Sequence, residues 1–270
     1  MNETVGYHKL PHAEAKQLLA KLVAGLAEER DEQARTAGEV DDLFAEFRAL
    51  VNTRPPAEAD PDLLQAQDRL LTGMIANRGI AGVSDAEPSP HDGRLSLWRG
   101  DITTFRADAI VNAANSQMLG CWVPGHKCID NAIHTFAGVQ LRLECAELMR
   151  AQGHEEPTGA AKITSGWNLP AKHVIHTVGP ICMGRVTDRN RAALVSCYLS
   201  CLECARDNGL ASIVFCGIST GVFGFPVAEA VPLAVEAVTG WLDETGSALK
   251  VVFDVFADEE ERAYRKALGL

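Results

Sequence analysis

From residue 95 to the end of the chain, short β-rich segments alternate with longer segments whose apolar residues recur at helical spacing. Parallel strands need a long crossover connection, which a helix usually supplies, so this alternation predicts an α/β domain with a mixed, mostly parallel sheet. The β-rich segments predict strands at residues 95–98, 109–112, 161–165, 173–177, 212–217 and 250–255. Helices are predicted at residues 129–150, 188–208, 227–244 and 258–268.

The first 93 residues have a different pattern, with apolar residues at helical spacing and no predicted strand. Two helices are expected near residues 18–26 and 40–51. A third is expected to begin at Asp60 and Pro61, an N-cap followed by proline at the first helical position, and to stop at Gly79. Residues 82–93, rich in small and polar residues, read as a linker. The predicted organisation is a helical extension with linker over residues 1–93 and an α/β domain over residues 94–270.

Charge and hydropathy exclude two classes of partner. The formal net charge is −11 and the chain has no Lys/Arg-rich run, so non-specific nucleic-acid binding is not expected. Residues 209–228 carry no charge over a length that could span a bilayer, but four glycines and Pro226 favour a strand, loop and helix instead. Met1 to Lys9 does not resemble a secretory signal, so a cytoplasmic protein without a membrane partner is predicted.

Two cysteines and a histidine fall within eight residues of one predicted loop, at Cys121, His126 and Cys128. Thiolates and imidazoles suit zinc, and three protein ligands leave one position for water or substrate, as in catalytic sites. The alternative is a pair of buried structural cysteines beside a surface histidine. The spacing favours a zinc site.

The other cysteines of the chain predict packing instead of chemistry. Cys197, Cys201 and Cys204 are four and three residues apart, which places them on one helical face. Cysteine is among the residues most often buried, so this face is expected to lie in the core. No role is assigned to the remaining cysteines, which are Cys145, Cys182 and Cys216.

A glycine-containing loop follows the predicted strand at 212–217, with the sequence Ile218-Ser219-Thr220-Gly221-Val222-Phe223-Gly224-Phe225-Pro226. Glycines let the backbone approach a phosphate, and successive N–H groups with a following helix N-terminus can bind a diphosphate without basic side chains. A tight structural turn is the alternative. Neither GxxxxGK[ST] nor GxGxxG is present, so a nucleoside triphosphatase or a dehydrogenase is not supported.

Amides and carboxylates follow the first two predicted strands, where open α/β sheets place ligands. The segment Asn112-Ala113-Ala114-Asn115-Ser116 could bind sugar hydroxyls or form an ordinary polar turn, and Asp101 could accept a hydrogen bond from an amine or cap a helix. Asp130 and His134 share a helical face, where the carboxylate could act as a general base and the histidine is more often packed. His176, within a predicted strand, is assigned to structure.

Taken together, four motifs resemble those of the macrodomain family in order and spacing: Gly100-Asp101-Ile102-Thr103, Val111-Asn112-Ala113-Ala114-Asn115-Ser116, Ile175-His176-Thr177-Val178-Gly179-Pro180 and Ser219-Thr220-Gly221-Val222-Phe223-Gly224. The resemblance covers residues 95–270. It implies a three-layer α/β/α sandwich that binds ADP-ribose. The loop with Cys121, His126 and Cys128 further resembles the zinc-dependent subgroup, microbial protein-ADP-ribose hydrolases with a helical N-terminal extension.

The resemblance also implies roles for residues. Adenine would be bound at Asp101 and Ile102, the distal ribose at Asn115, and the diphosphate by the loop from Ser219 to Phe225, whose ring would pack on a ribose. The full set of ligand-binding candidates is Asp101, Ile102, Asn112, Ala113, Asn115, Ser219, Thr220, Gly221, Val222, Phe223, Gly224 and Phe225.

The functional hypothesis is a zinc-dependent hydrolase that removes ADP-ribose from mono-ADP-ribosylated proteins. Asn115 would orient the ribose, and Asp130 would position or deprotonate a water. The subgroup resemblance implies modified acidic side chains as substrates and a sirtuin-type ADP-ribosyltransferase as a possible partner. Two rivals are a non-catalytic ADP-ribose reader with a structural zinc and a scaffold that docks proteins through its N-terminal helices.

Overall fold

The computed structural model describes residues 6–182 and 184–270, so the first five residues of the opening segment lie outside the described part of the chain. The N-terminal extension folds as three helices, α1 (His12–Glu28), α2 (Val40–Thr53) and α3 (Pro61–Arg78). Asp60 caps α3 by accepting hydrogen bonds from the backbone N–H groups of Asp62 and Leu63, and the helix ends at Gly79. The predicted start and stop signals of this helix are therefore confirmed.

The rest of the chain alternates strands and helices as predicted. In chain order these are β1 (Ala81–Gly82), β2 (Glu87–Pro88), β3 (Leu95–Arg99), β4 (Phe105–Arg106), β5 (Ala109–Ala114), α4 (Ile129–Ala137), α5 (Val139–Gln152), β6 (Ala161–Ser165), β7 (His173–Val178), α6 (Asp188–Asp207), β8 (Ser212–Phe215), α7 (Val227–Thr245), β9 (Lys250–Val255) and α8 (Asp258–Leu268). Short 3₁₀ turns cover Val83–Asp85 and Ile102–Thr104.

The main sheet has seven strands in the order β2-β3-β9-β8-β5-β7-β6. Its five central strands are parallel, and β2 and β6 are antiparallel edge strands. The two remaining strands, β1 and β4, pair as a separate short parallel ladder. The predicted mixed, mostly parallel sheet is confirmed.

Helices cover both faces of this sheet. Successive strand residues point to opposite sides, so neighbouring apolar residues of one strand pack against different helices. Ile110 of β5 packs in a core cluster with α4, α5 and the N-terminal extension, whereas Val111 packs in a second cluster with α6, α7 and α8. The architecture is the expected three-layer α/β/α sandwich. The extension joins the first layer through one continuous core cluster, which contains buried leucines of α1 and α3 together with Ile133 and Leu141.

Three local features differ from the sequence-based predictions. The helix expected at 129–150 is two helices, because Gly138 lies at φ 100° and a Cβ there would be 2.6 Å from Gln67 Nε2. Residues 82–93, expected to be a linker, supply β2, whose Glu87 lies opposite Leu97 in the main sheet. The strand expected to reach Gly217 ends at Phe215.

The predicted burial of one cysteine face of α6 is confirmed. Cys197 and Cys201 are fully buried and Cys204 is half-buried on the same face of α6.

Residues 209–228 form β8, a loop and the start of α7, in line with the prediction against a membrane helix. Among the described residues, we find no helix that combines the length and the apolar character needed to cross a bilayer.

Candidate functional site

The predicted site segments converge because they follow parallel strands. Asp101 comes after β3, Asn115 after β5, and the loop of residues 218–226 after β8. Since β3, β9, β8 and β5 are parallel neighbours, their carboxyl ends lie at one edge of the sheet. Open α/β sheets bind ligands at this edge. Sequence segments more than a hundred residues apart therefore lie along one edge of the sheet, which is called the cleft rim below.

A cluster of three potential metal ligands lies in the loop after β5. The ligand atoms of Cys121, His126 and Cys128 are all within 4.8 Å of one another, and Cys121 Sγ is 3.6 Å from His126 Nδ1. Tetrahedral zinc places its sulfur and nitrogen ligands about 3.5 Å apart, as follows from the usual Zn–S and Zn–N bond lengths. All three side chains are partly exposed. The donor set and its spacing fit a zinc ion with one position open to the cleft.

Local structure explains how the candidate metal loop, residues 121–128 (the metal loop below), brings these three side chains together. The backbone N–H of His126 donates to the carbonyl of Val123 at 3.1 Å, and Gly125 takes a positive φ of 65° in this turn. Cys128 is the N-cap of α4, with its sulfur accepting from the backbone N–H of Asn131. Burial raises the pKa of the Cys128 thiol to about 12, and the neighbouring Cys121 adds to this shift.

Asp130 is a buried carboxylate directly behind the metal loop. Its Oδ1 accepts a 2.8 Å hydrogen bond from the Asn112 amide, and its Oδ2 lies 3.4 Å from Asn115 Nδ2. Burial raises the pKa of Asp130 to about 6, while the Asn112 hydrogen bond acts against that shift. The structure thus brings the two predicted catalytic residues, Asn115 and Asp130, into contact.

The two asparagines after β5 have different surroundings. Asn112 is fully buried and donates to Asp130, so its side chain acts on the cleft through that carboxylate. Asn115 is half-buried and also closes the turn after β5, donating to the Gly120 carbonyl at 2.9 Å and accepting from the backbone N–H of Gln117 at 3.0 Å. The polar-turn alternative considered for this segment is observed at Asn115, whose amide also lies next to Asp130. Ala113, between them, is half-buried.

A second cluster of potential ligands, unrecognised from sequence, lies beneath the site: the buried side chains of His134, Cys145 and His176. Both nitrogens of His176 are engaged, Nδ1 at 3.1 Å from Asn112 Nδ2 and Nε2 at 2.9 Å from Thr164 Oγ1. Burial lowers the pKa of His176 to about 3 and that of His134 well below its usual value. The three side chains are buried, and both nitrogens of His176 contact neighbouring side chains of the protein.

The loop of residues 218–225 is held mainly by its own backbone. The Phe225 N–H donates to the Ser219 carbonyl at 2.9 Å, and the Gly224 N–H donates to the Gly221 carbonyl at 3.0 Å. Ser219 and Gly224 have positive φ values of 64° and 70°. Gly221, Val222 and Gly224 are exposed, and α7 begins directly after the loop. Exposed backbone next to a helix N-terminus is suited to binding an anion.

Side chains of this loop point away from the cleft more than the sequence suggests. Phe225 is 1% exposed and packs in the core, so it can contact a ligand only through its backbone. Ser219 is also buried, and Thr220 donates to Glu260 of α8 at 2.8 Å. Phe223 is half-buried. The loop therefore offers backbone groups and few free side-chain donors.

Asp101 forms the predicted cap and an ion pair with the N-terminal extension. Its Oδ1 caps the 3₁₀ turn by accepting from the backbone N–H and the hydroxyl of Thr103, at 3.0 and 2.6 Å. Its Oδ2 pairs with Arg78 of α3 at 2.8 Å, and both side chains remain substantially exposed. Ile102 is buried. The capping role is observed, and the carboxylate remains accessible to a ligand.

Two residues at this edge were missed from the sequence. Phe256, directly after β9, is 78% exposed, although large aromatic side chains are usually buried. Asp254 in β9 is buried with no hydrogen-bond partner for Oδ1 among the described residues, and burial with nearby Asp101 raises its pKa well above the usual value. The position of Phe256, an aromatic residue between a predicted strand and the acidic start of a helix, could have drawn attention to it in the sequence. Asp254 has no such sequence signal, since strands with alternating residues often carry polar side chains.

Comparison with known proteins identifies the family. Residues 111–234 match the Macro domain family. The protein-ADP-ribose hydrolase of Treponema medium is 53% identical over 225 residues, which cover 83% of this chain and 86% of that protein. A probable bifunctional ADP-ribose hydrolase/ADP-ribosyltransferase of Fusarium oxysporum f. sp. cubense is 41% identical over 84% of this chain, but the match covers only 41% of that protein.

Solved structures give the same result. The Trypanosoma brucei macrodomain in complex with ADP-ribose superposes with a TM-score of 0.64 and 32% sequence identity, over 82% of this chain and 95% of that one. The likeness thus extends over both the sandwich and much of the sequence before it. On sequence and structure alike, the chain belongs to the Macro domain family.

Proposed function

We propose that this protein is a zinc-dependent hydrolase that removes ADP-ribose from mono-ADP-ribosylated proteins, with modified acidic side chains as its substrates. The observation that carries the proposal is the cluster of Cys121, His126 and Cys128 at the same sheet edge as Asn115 and Asp130. The hydrolase name of the Treponema medium relative supports the reaction class.

The cleft rim suits ADP-ribose along its length. Asp101 would accept a hydrogen bond from the adenine amine, beside Ile102, and the backbone of residues 219–225, which is exposed at Gly221, Val222 and Gly224, would bind the diphosphate. Backbone N–H donors need no cluster of basic residues, which agrees with the net charge of −11. The distal ribose would then lie toward Asn115 and the metal loop.

The chemistry would take place between the metal loop and Asp130. A zinc ion on three protein ligands would supply Lewis acidity at its open coordination position, close to the ribosyl ester. Asn115 orients the distal ribose through its amide. Asp130, held by Asn112 and next to Asn115, positions the attacking water and can accept its proton. Removing the ADP-ribose leaves a free carboxylate on the substrate protein.

The test is turnover with controlled metal content. The purified protein is incubated with a protein mono-ADP-ribosylated on Glu or Asp, before and after treatment with a chelator, and zinc is then restored. We expect about one zinc per chain by elemental analysis, loss of turnover on chelation, and recovery with zinc. Full turnover in the chelated, zinc-free protein would overturn the zinc dependence. Tight ADP-ribose binding without turnover at any zinc content would identify a reader with a structural zinc.

A transferase must supply the modified substrate. We infer that an ADP-ribosyltransferase, of the sirtuin type, acts with this protein, and the Fusarium oxysporum relative, whose name combines both activities, supports the pairing. Co-expression of the two proteins should lower the modified fraction of the transferase's target. An unchanged fraction in the presence of active hydrolase would contradict the pairing.

A further inference from the structure

Helix α2 of the N-terminal extension touches the metal loop directly. Arg48 Nη2 donates to the carbonyl of His126 at 3.0 Å, and Arg48 Nε donates to Asn131 Oδ1 at 2.8 Å. The Asn52 side-chain oxygen accepts from the backbone N–H of Gly125 at 3.0 Å. These contacts join positions that are more than seventy residues apart, and they reach the backbone of a metal ligand and its neighbour.

The contacts belong to a buried amide network. Asn52 and Asn131 are 1% and 0% exposed, and Asn131 Nδ2 donates both to Asn52 Oδ1 at 2.8 Å and to the Val123 carbonyl at 3.1 Å. Asn52 Nδ2 in turn donates to Thr135 Oγ1 at 3.1 Å. A buried amide left without partners costs about 1 to 3 kcal/mol, so the network favours one arrangement of the loop.

The helix that carries these side chains is itself firmly placed. Leu43, Phe47 and Leu50 of α2 are buried in the core cluster that also contains α4 and α5. Arg142 of α5 joins the end of α2 to the metal loop. It donates to the carbonyls of Val51 and Arg54, and its guanidinium lies 4.2 Å from the ring centroid of Trp122 in that loop. The loop is thus braced from outside by well-packed helices.

We propose that Arg48 and Asn52 are positioning residues of the metal loop, so that the helical extension is part of the functional site. Asn52 fixes the turn at Gly125, and Arg48 fixes the carbonyl of His126. This inference rests on the proposed zinc function for its metal readout, but loop positioning is also measurable without metal.

The first experiment measures zinc affinity by competition with a chromogenic chelator on the full chain. For Asn52→Ala we expect the dissociation constant to rise about 10- to 100-fold, the usual effect of removing a group that orients metal ligands. Asn52→Asp keeps an acceptor oxygen for Gly125 and should recover most of the affinity. In the cobalt-substituted protein, the thiolate absorption bands should shift in Asn52→Ala and in Arg48→Met.

The matched control is Arg69→Met. Arg69 joins α3 to α1 through Glu14, with contacts of 2.7 and 2.9 Å, and so supports the extension away from the metal loop. We expect it to lower the melting temperature without changing zinc affinity. Equal loss of affinity in Arg69→Met and Asn52→Ala would overturn specific positioning, because general loosening of the extension would then explain both.

The second experiment separates this inference from the zinc hypothesis. In metal-free protein, Asn52→Ala should speed alkylation of Cys121 and Cys128 by iodoacetamide, while Cys204, which is also half-buried, keeps its rate. If the wild type binds no zinc, the proposed function fails and the alkylation rates still decide whether Asn52 positions the loop. Unchanged rates and unchanged zinc affinity in both Asn52→Ala and Arg48→Met would overturn the inference.

Discussion

Two loops at the same edge of the sheet are held in opposite ways. Residues 121–128 are fixed by side chains from outside the loop, above all Arg48 and Asn52 of the extension. Residues 218–225 are fixed by backbone bonds within the loop and by one from the Cys182 N–H to the Phe223 carbonyl. The difference matches the atoms that each loop presents: the first loop presents side chains, which other groups must orient, whereas the second presents backbone groups, which the loop conformation itself orients.

The largest effect is expected when a candidate zinc ligand is removed from the first loop. Replacing Cys128 by Ala should abolish zinc binding and lower kcat by about a thousandfold, because a Lewis acid contributes several kcal/mol at the transition state. The fold should remain, since the loop lies outside the core. Zinc content, kcat and circular dichroism measure this, with Cys204→Ala as the control that keeps both zinc and activity. Collapse of the whole fold would instead indicate a structural site.

A smaller effect is expected from replacing Asn115, whose side chain donates to the Gly120 carbonyl, just before the first loop, and lies next to Asp130. Asn115→Ala should lower kcat by about a hundredfold through loss of orientation, with little change in affinity for free ADP-ribose. Kinetics and calorimetry on the same variant give both quantities. Gln117→Ala, which removes an exposed side chain of the same turn, should leave kcat unchanged. A raised KM with normal kcat would mean that Asn115 contributes only uniform binding.

Binding at the other end of the cleft should depend on Asp101. Asp101→Ala should weaken ADP-ribose binding by about 1 to 3 kcal/mol, the range for a lost hydrogen-bond partner, with little effect on kcat at saturation. Arg78→Met removes the partly exposed ion pair with Asp101, which is worth at most about 1 kcal/mol, and the contact of the guanidinium with the Phe136 ring, but it leaves the Asp101 carboxylate in place and serves as the control. Calorimetry that shows unchanged affinity in Asp101→Ala would refute the adenine assignment.

The smallest effect tests the second loop's dependence on its own conformation. Gly224 has a φ of 70°, and a Cβ there would lie 3.1 Å from the Cys182 carbonyl oxygen. Gly224→Ala should therefore lower the free energy of unfolding by about 1 to 2 kcal/mol and also weaken ADP-ribose binding. Gly221→Ala meets no atom within 4 Å and should leave stability unchanged. Equal denaturant midpoints for the two variants would show that a Cβ at Gly224 does not strain the loop of residues 218–225.

Sequence patterns located the elements whose signals are local. The cap and proline at the start of α3, the strands β6 and β9 and the helix α8 were predicted with their observed bounds, because capping and periodicity act over a few residues. The spacing of Cys121, His126 and Cys128 likewise predicted a cluster that the structure shows. The break at Gly138 was missed, since a glycine within a helical pattern is tolerated until tertiary neighbours decide.

Tertiary structure alone decided how the extension meets the site. Nothing near Arg48, Asn52 or Arg78 in the sequence indicates that these side chains reach the metal loop and Asp101. It also decided that Asn112 supports Asp130 and that Phe225 packs inward. The sequence by itself determined the α/β class and the order along the chain of the loops that carry the candidate site residues. Contacts between positions tens of residues apart depend on how whole layers pack, and that packing leaves no local pattern to read.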